Sequence, residues 1–137
     1  MKKTTSIVFT GDIGFDRYMD RKWEDPELLS KEVLDFFHSA DHVCANVEGA
    51  LIDAVDDGSR GVFFHSMNPA ATSVLQKIGA DIWSIGNNHT MDAGVEGVIS
   101  TRKIAAEMGM TVRSVEGKLY RIKKKLRKMM GGDENEV

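Results

Sequence analysis

The sequence predicts an α/β domain built on half of a mostly parallel sheet with flanking helices. Three observations predict it. Short β-rich runs alternate with helical spacing in the order β-α-β-β-α-β-α. Two helical stretches open on a capping residue followed by proline, at Asp25-Pro26 and Asn68-Pro69. Three predicted strands run out into polar residues, and open α/β sheets collect their ligands at the carboxyl ends of strands.

The first strand is Ser6-Ile7-Val8-Phe9-Thr10, a β-rich run that ends in Gly11-Asp12. Gly11 and Gly14 then permit a tight loop. From Asp25-Pro26 a helix is expected, with Leu28, Leu29, Val33, Phe36 and Phe37 at helical spacing as its packing face. The second strand covers about His42–Asn46 and delivers Glu48 just past its end. Asp53 to Gly61 reads as an acidic, glycine-containing loop, and Val62-Phe63-Phe64 as a short strand. The helix from Asn68-Pro69 carries Val74, Leu75 and Ile78 on its apolar side and ends at Gly79. Ile82-Trp83-Ser84-Ile85 is the next strand, and a helix from about Val95 to Met108 stops at Gly109.

With 137 residues, 42% hydrophobic and 28% charged, the chain suits one globular domain. A net charge of −3 gives no polyanion-binding signature to the whole, although basic residues crowd towards the C-terminus. One cysteine, Cys44, cannot form an internal disulfide and reads as a small core residue. The apolar run after Met1-Lys2-Lys3 is too short for a signal peptide, and no stretch approaches the roughly 20 apolar residues of a membrane span. A cytoplasmic location is the expectation.

The polar strand ends are Asp12, then Asn46 with Glu48, then Asn87-Asn88-His89 with Asp92. Carboxylate, amide and imidazole donors suit a divalent metal such as Mn, Zn, Fe or Mg. A pair of such ions can activate water and clamp both oxygens of a displacement. Each residue also has a plainer role open to it. Asp12 can cap a turn, Glu48 can be a solvated loop acid, Asn87 and Asn88 can be turn residues, and His89 can be structural. His65, in Phe64-His65-Ser66, can reach the site but is read first as a surface or strand-end residue; His38 and His42 are read as structural, and Trp23 and Trp83 as packing residues. The joint occurrence at three strand ends favours the functional reading.

Three segments carry a family resemblance. They are Gly11-Asp12-Ile13-Gly14-Phe15-Asp16-Arg17, Asn46-Val47-Glu48-Gly49 and the stretch from Gly79 to Gly94 with its Asn-Asn-His-x-x-Asp-x-Gly core. In this order they resemble the front half of a CapA-type (poly-gamma-glutamate capsule biosynthesis) domain of the calcineurin-like metallophosphoesterase group. The resemblance covers about 110 residues and implies a partial metallophosphoesterase-like sandwich. It implies Asp12, Glu48 and Asn88 as metal ligands and His89 as the group assisting the transition state or leaving group. It also implies Asp92 as the residue that orients His89, and Arg17 as a contact to an anionic polymer or phosphoester substrate. A complete domain of this family is longer, and its second half supplies further histidines that finish the metal site. No histidine follows His89 here. The expectation is therefore a truncated domain over residues 1–110, incomplete as a metal-dependent hydrolase and prone to self-association through an uncovered strand edge.

Residues 111–130 are expected to form a basic amphipathic helix with Leu119, Ile122, Leu126 and Met129 as its stripe. The segment 101–130 also resembles a sigma-factor-like helix-turn-helix, which implies a DNA-associated regulator as the alternative function. The plainer reading is a solvated helix covering the apolar face of the sheet. Residues 131–137 read as a disordered acidic tail.

Overall fold

β1 (Ile7–Ile13) and β2 (His42–Val47) pair in parallel, and β2 pairs in parallel with β5 (Ile82–Ser84), so β2 is central in the order β1-β2-β5. The computed structural model describes residues 4–53 and 64–109. Within them a second sheet of two strands, β3 (Ala50–Leu51) and β4 (Ser66–Met67), is also parallel. The helices are α1 (Lys31–His38), α2 (Thr72–Lys77) and α3 (Gly94–Glu107). The chain is thus a mixed α/β fold with parallel pairing and flanking helices, as the strand–helix alternation predicts. None of the helices among the described residues is long and apolar enough to cross a membrane.

β2 is central because its residues tolerate burial on both faces. Val43, Cys44, Ala45 and Val47 are all buried, the near-continuous apolar pattern of a covered parallel strand. Burial pushes the Cys44 thiol above its ordinary value, with the nearby Asp81 carboxylate adding to the effect. Trp83 lies beside Ala45 in the register and is fully buried, its indole N–H donating to the Ala80 carbonyl at 3.2 Å. Leu51, Met67, Val74, Leu75 and Ile78 close the same core.

Three local expectations are corrected. β1 does not stop at Thr10 but runs to Ile13, with an irregularity in the register between Phe9 and Asp12. A bulge of this kind re-aims the side chains beyond it, and it sets Asp12 opposite Asn46. The first helix does not start at Asp25. The Asp25 side chain instead accepts from the Glu27 N–H at 2.9 Å in a local turn, and Ser30 caps α1 by accepting from the Val33 N–H at 3.4 Å. That later start changes the buried face: Leu34 and Phe37 pack on the core while Val33 and Phe36 are exposed. A two-residue strand, Ser66–Met67, follows the segment expected as Val62-Phe63-Phe64, of which 62 and 63 lie outside the described residues. The expected elements at 54–63 and from Met110 onward lie outside the described residues.

α3 seats on β3 through small residues. A side-chain carbon added at Gly97 would lie 2.9 Å from the Ala50 Cβ. Thr101 accepts from the Leu51 N–H at 2.9 Å, and Ser100 donates to the Leu51 carbonyl at 2.6 Å. The helix that would open the helix-turn-helix is therefore bound into the α/β unit.

The start of β1 is stapled to β2. Asp41 accepts from the backbone N–H of Ser6 at 2.8 Å and from its hydroxyl at 2.9 Å. These bonds, the backbone one first, hold the Asp41 carboxyl below its ordinary value. A carboxyl whose folded value is depressed stabilises the fold above its unfolded value and loses that contribution as pH falls through the folded one. Ser6→Ala is expected to raise the Asp41 titration midpoint, read by NMR, towards that of an ordinary aspartate. An unchanged midpoint would show that the hydroxyl contributes nothing.

Candidate functional site

Parallel pairing brings the carboxyl ends of β1, β2 and β5 to one edge, and the register places Asp12, Asn46 and Ser84 in a row across it. The Asn46 amide donates to Asp12 Oδ1 at 2.7 Å and to Glu48 Oε2 at 3.0 Å. One NH₂ group thus holds two carboxylates that the sequence separates by 36 positions. Asp12 is exposed, while the Glu48 side chain is 14% exposed.

The loop after β5 folds on Asn87. Its amide donates to the Val47 carbonyl at 2.7 Å and to Asn46 Oδ1 at 3.3 Å. Its Oδ1 accepts from the His89 N–H at 3.0 Å. Thr90 closes the turn: its hydroxyl accepts from the Asn87 N–H at 2.9 Å and also bonds the Ile85 carbonyl. Asn87 is therefore a turn residue that ties this loop to the end of β2. Asn88 is exposed, and among the described residues its side chain makes no hydrogen bond.

His89 is held by Asp92 from one side and faces the Glu48 carboxylate from the other. Its Nδ1 lies 2.7 Å from Asp92 Oδ2, the pairing that the resemblance implies. Its Nε2 lies 3.5 Å from Glu48 Oε1. With Nδ1–H donated to Asp92, the exchangeable position is Nε2. Arg17 sits at a left-handed backbone angle, φ 50°, which costs a non-glycine residue energy and points to a local constraint. Its guanidinium reaches the Phe64 carbonyl at 3.5 Å.

Sequence reasoning ranks His65 first as a surface or strand-end residue and gives Asp16 no role of its own. His65 Nδ1 lies 2.7 Å from Asp16 Oδ2, and the His65 N–H donates to Asp92 Oδ2 at 2.8 Å. The His65 and His89 rings meet edge to face with centroids 4.2 Å apart. The only signal in the sequence is the position of His65 next to a short strand, with no spacing to connect it to Asp16.

Oxygen donors from Asp12 and Glu48, an imidazole nitrogen and an exposed amide match the preferences of a divalent cation of Mn, Zn, Fe or Mg type. Among the described residues, no three of the His, Cys, Asp and Glu side chains converge as they stand. The donor set fits such an ion in its chemistry, with the Asn46 amide lying between the carboxylates.

Comparison with known proteins agrees with the motifs. Residues 6–116 match the family model described as bacterial capsule synthesis protein PGA_cap. A curated relative, the PGA biosynthesis protein CapA of Bacillus subtilis (strain 168), is 26% identical over 124 residues. The match covers 88% of this chain and 33% of the relative, so the chain spans about a third of that protein's length.

Proposed function

Since the chain belongs to the bacterial capsule synthesis protein PGA_cap family, we propose that it is a metal-binding, hydrolase-type scaffold acting in poly-gamma-glutamate capsule biosynthesis or on a related anionic polymer or phosphoester. The observation that carries this reading is the convergence of Asp12 and Glu48 on one amide, with His89 Nε2 at 3.5 Å from Glu48. Three strand ends supply these groups, and none is adjacent to both others in sequence.

Asp12, Glu48 and Asn88 would hold a divalent cation, which when bound supplies Lewis acidity and a more acidic water. The chain's own residues do the rest. Asp92 holds the His89 ring by Nδ1, so that a proton is taken up or given at Nε2. Arg17, next to the Phe64 carbonyl, contributes a fixed positive charge for an anionic group of the substrate.

Asp12→Ala is expected to lower Mn²⁺ or Zn²⁺ affinity in calorimetry by about 10-fold or more, since it removes a ligand carboxylate outright. Equal binding by both proteins would remove Asp12 from the metal site. Phosphodiester and γ-glutamyl substrates are the ones to assay, with His89→Ala as control. Activity that survives intact in that variant means another group assists.

A further inference from the structure

We propose that His65, a residue outside all three family motifs, is a positioning residue that pins the Asp92–His89 pair to the strand end carrying Glu48; this rests on the reading of His89 as the proton-handling group. His65 is tied to each motif segment by a different group. Its ring Nδ1 lies 2.7 Å from Asp16 Oδ2, in the first segment. Arg17 of the same segment reaches the preceding carbonyl, that of Phe64, at 3.5 Å. The His65 carbonyl accepts from the Ala50 N–H at 3.4 Å, directly after the second segment. It also lies so close to Gly49 that an added Cβ there would stand 2.4 Å from it. The His65 N–H donates to Asp92 Oδ2 at 2.8 Å, in the third segment.

The bond to Asp92 makes this more than a brace for the fold. The same oxygen, Oδ2, lies 2.7 Å from His89 Nδ1. A carboxylate with one mobile partner can turn about its side-chain torsions and carry the imidazole with it. Pinned by a backbone N–H, it turns only by breaking a charge-assisted hydrogen bond, the stronger class. The His65 ring also bears on His89 directly, edge to face with centroids 4.2 Å apart at 75°. His89 therefore has Asp92 holding Nδ1 and the His65 ring blocking one side, which leaves Nε2 facing Glu48 Oε1 at 3.5 Å. Asp16 does for His65 what Asp92 does for His89. Its side chain is only 14% exposed, so water competes little for that bond. Groups that handle protons work only when held close to the productive geometry by neighbours whose own rotamers are locked.

The test uses the full ¹⁵N-labelled chain without added metal, so its outcome does not depend on the cation site. Long-range ¹H–¹⁵N spectra report which ring nitrogen of His89 carries the proton. The wild type is expected to show the Nδ1–H form alone, and His65→Ala and Asp16→Ala a mixture of both forms. His65→Asn places an amide nitrogen where Nδ1 stands, and is expected to recover most of the wild-type pattern. A general loss of packing would not be rescued in this way. An unmixed Nδ1–H form in folded His65→Ala and Asp16→Ala overturns the proposal and leaves the role of His89 standing. Hydrogen exchange of the wild type decides the matter where these variants fold poorly. The His65 N–H is expected to be protected, and exchange at the rate of an open amide overturns the proposal. Full activity of His89→Ala alongside the expected spectra would remove the proton role from His89 and leave the positioning intact.

Discussion

Trp83→Ala is expected to lower stability by about 3–5 kcal/mol, a large part of the roughly 5–15 kcal/mol that holds a typical domain together. The indole is fully buried in β5, between the central strand and the helices, and is the largest of the fully buried side chains. Its removal leaves a cavity beside Ala45 and takes the indole donor from the Ala80 carbonyl. β5 also leads into the loop that holds Asn87, His89 and Asp92, so loss of its packing is expected to disturb the site as well as the fold. Urea denaturation followed by circular dichroism measures the effect. A midpoint close to that of the wild type would mean that β5 does not anchor the core.

Gly49→Ala is expected to cost roughly 2–5 kcal/mol and to disturb the site as well as the fold. Gly49 has φ +82°, a region that an L side chain enters only with strain. An added Cβ would lie 2.4 Å from the His65 carbonyl oxygen, and that neighbour is backbone, unable to swing aside. Relief requires the turn between Glu48 and Ala50 to draw back from His65, lengthening the 3.4 Å bond from the Ala50 N–H to the His65 carbonyl. Glu48 and His65 would move apart in the same step. The expected signature is a lower denaturation midpoint together with shifted His65 and His89 imidazole resonances. A stable variant with unshifted resonances would show that the two segments do not touch as tightly as this.

Strands written in β-branched and aromatic residues were legible: Ile7-Val8-Phe9 and Ile82-Trp83 fall where the pattern puts them. The start of α1 was not, because the Asp25-Pro26 signal is genuine but is used in a turn, and Ser30 does the capping. β1's extension was hidden because Gly11 reads as a break, whereas a bulge carries the strand through it. β4 is two residues long and has no β-branched member, so its pairing with β3 comes from tertiary context. The site divides in the same way. Asp12 and Glu48 were visible at strand ends, and His89 with Asp92 at a spacing of three. The Asp16–His65 pair spans 49 positions and exists only because the segment before β4 is brought beside the loop after β1. No periodicity encodes such a meeting.

The Asn46 amide bridging Asp12 and Glu48 has a consequence for how a cation would arrive. Its two N–H bonds already quench the mutual repulsion of the acids, so an incoming ion meets a resident competitor, not an open berth. A half-turn of that amide about its terminal bond would present oxygen where nitrogen now sits, and would break the bond that Asn46 Oδ1 accepts from the Asn87 amide. A cation settling between the two acids would therefore have to displace or turn that amide first.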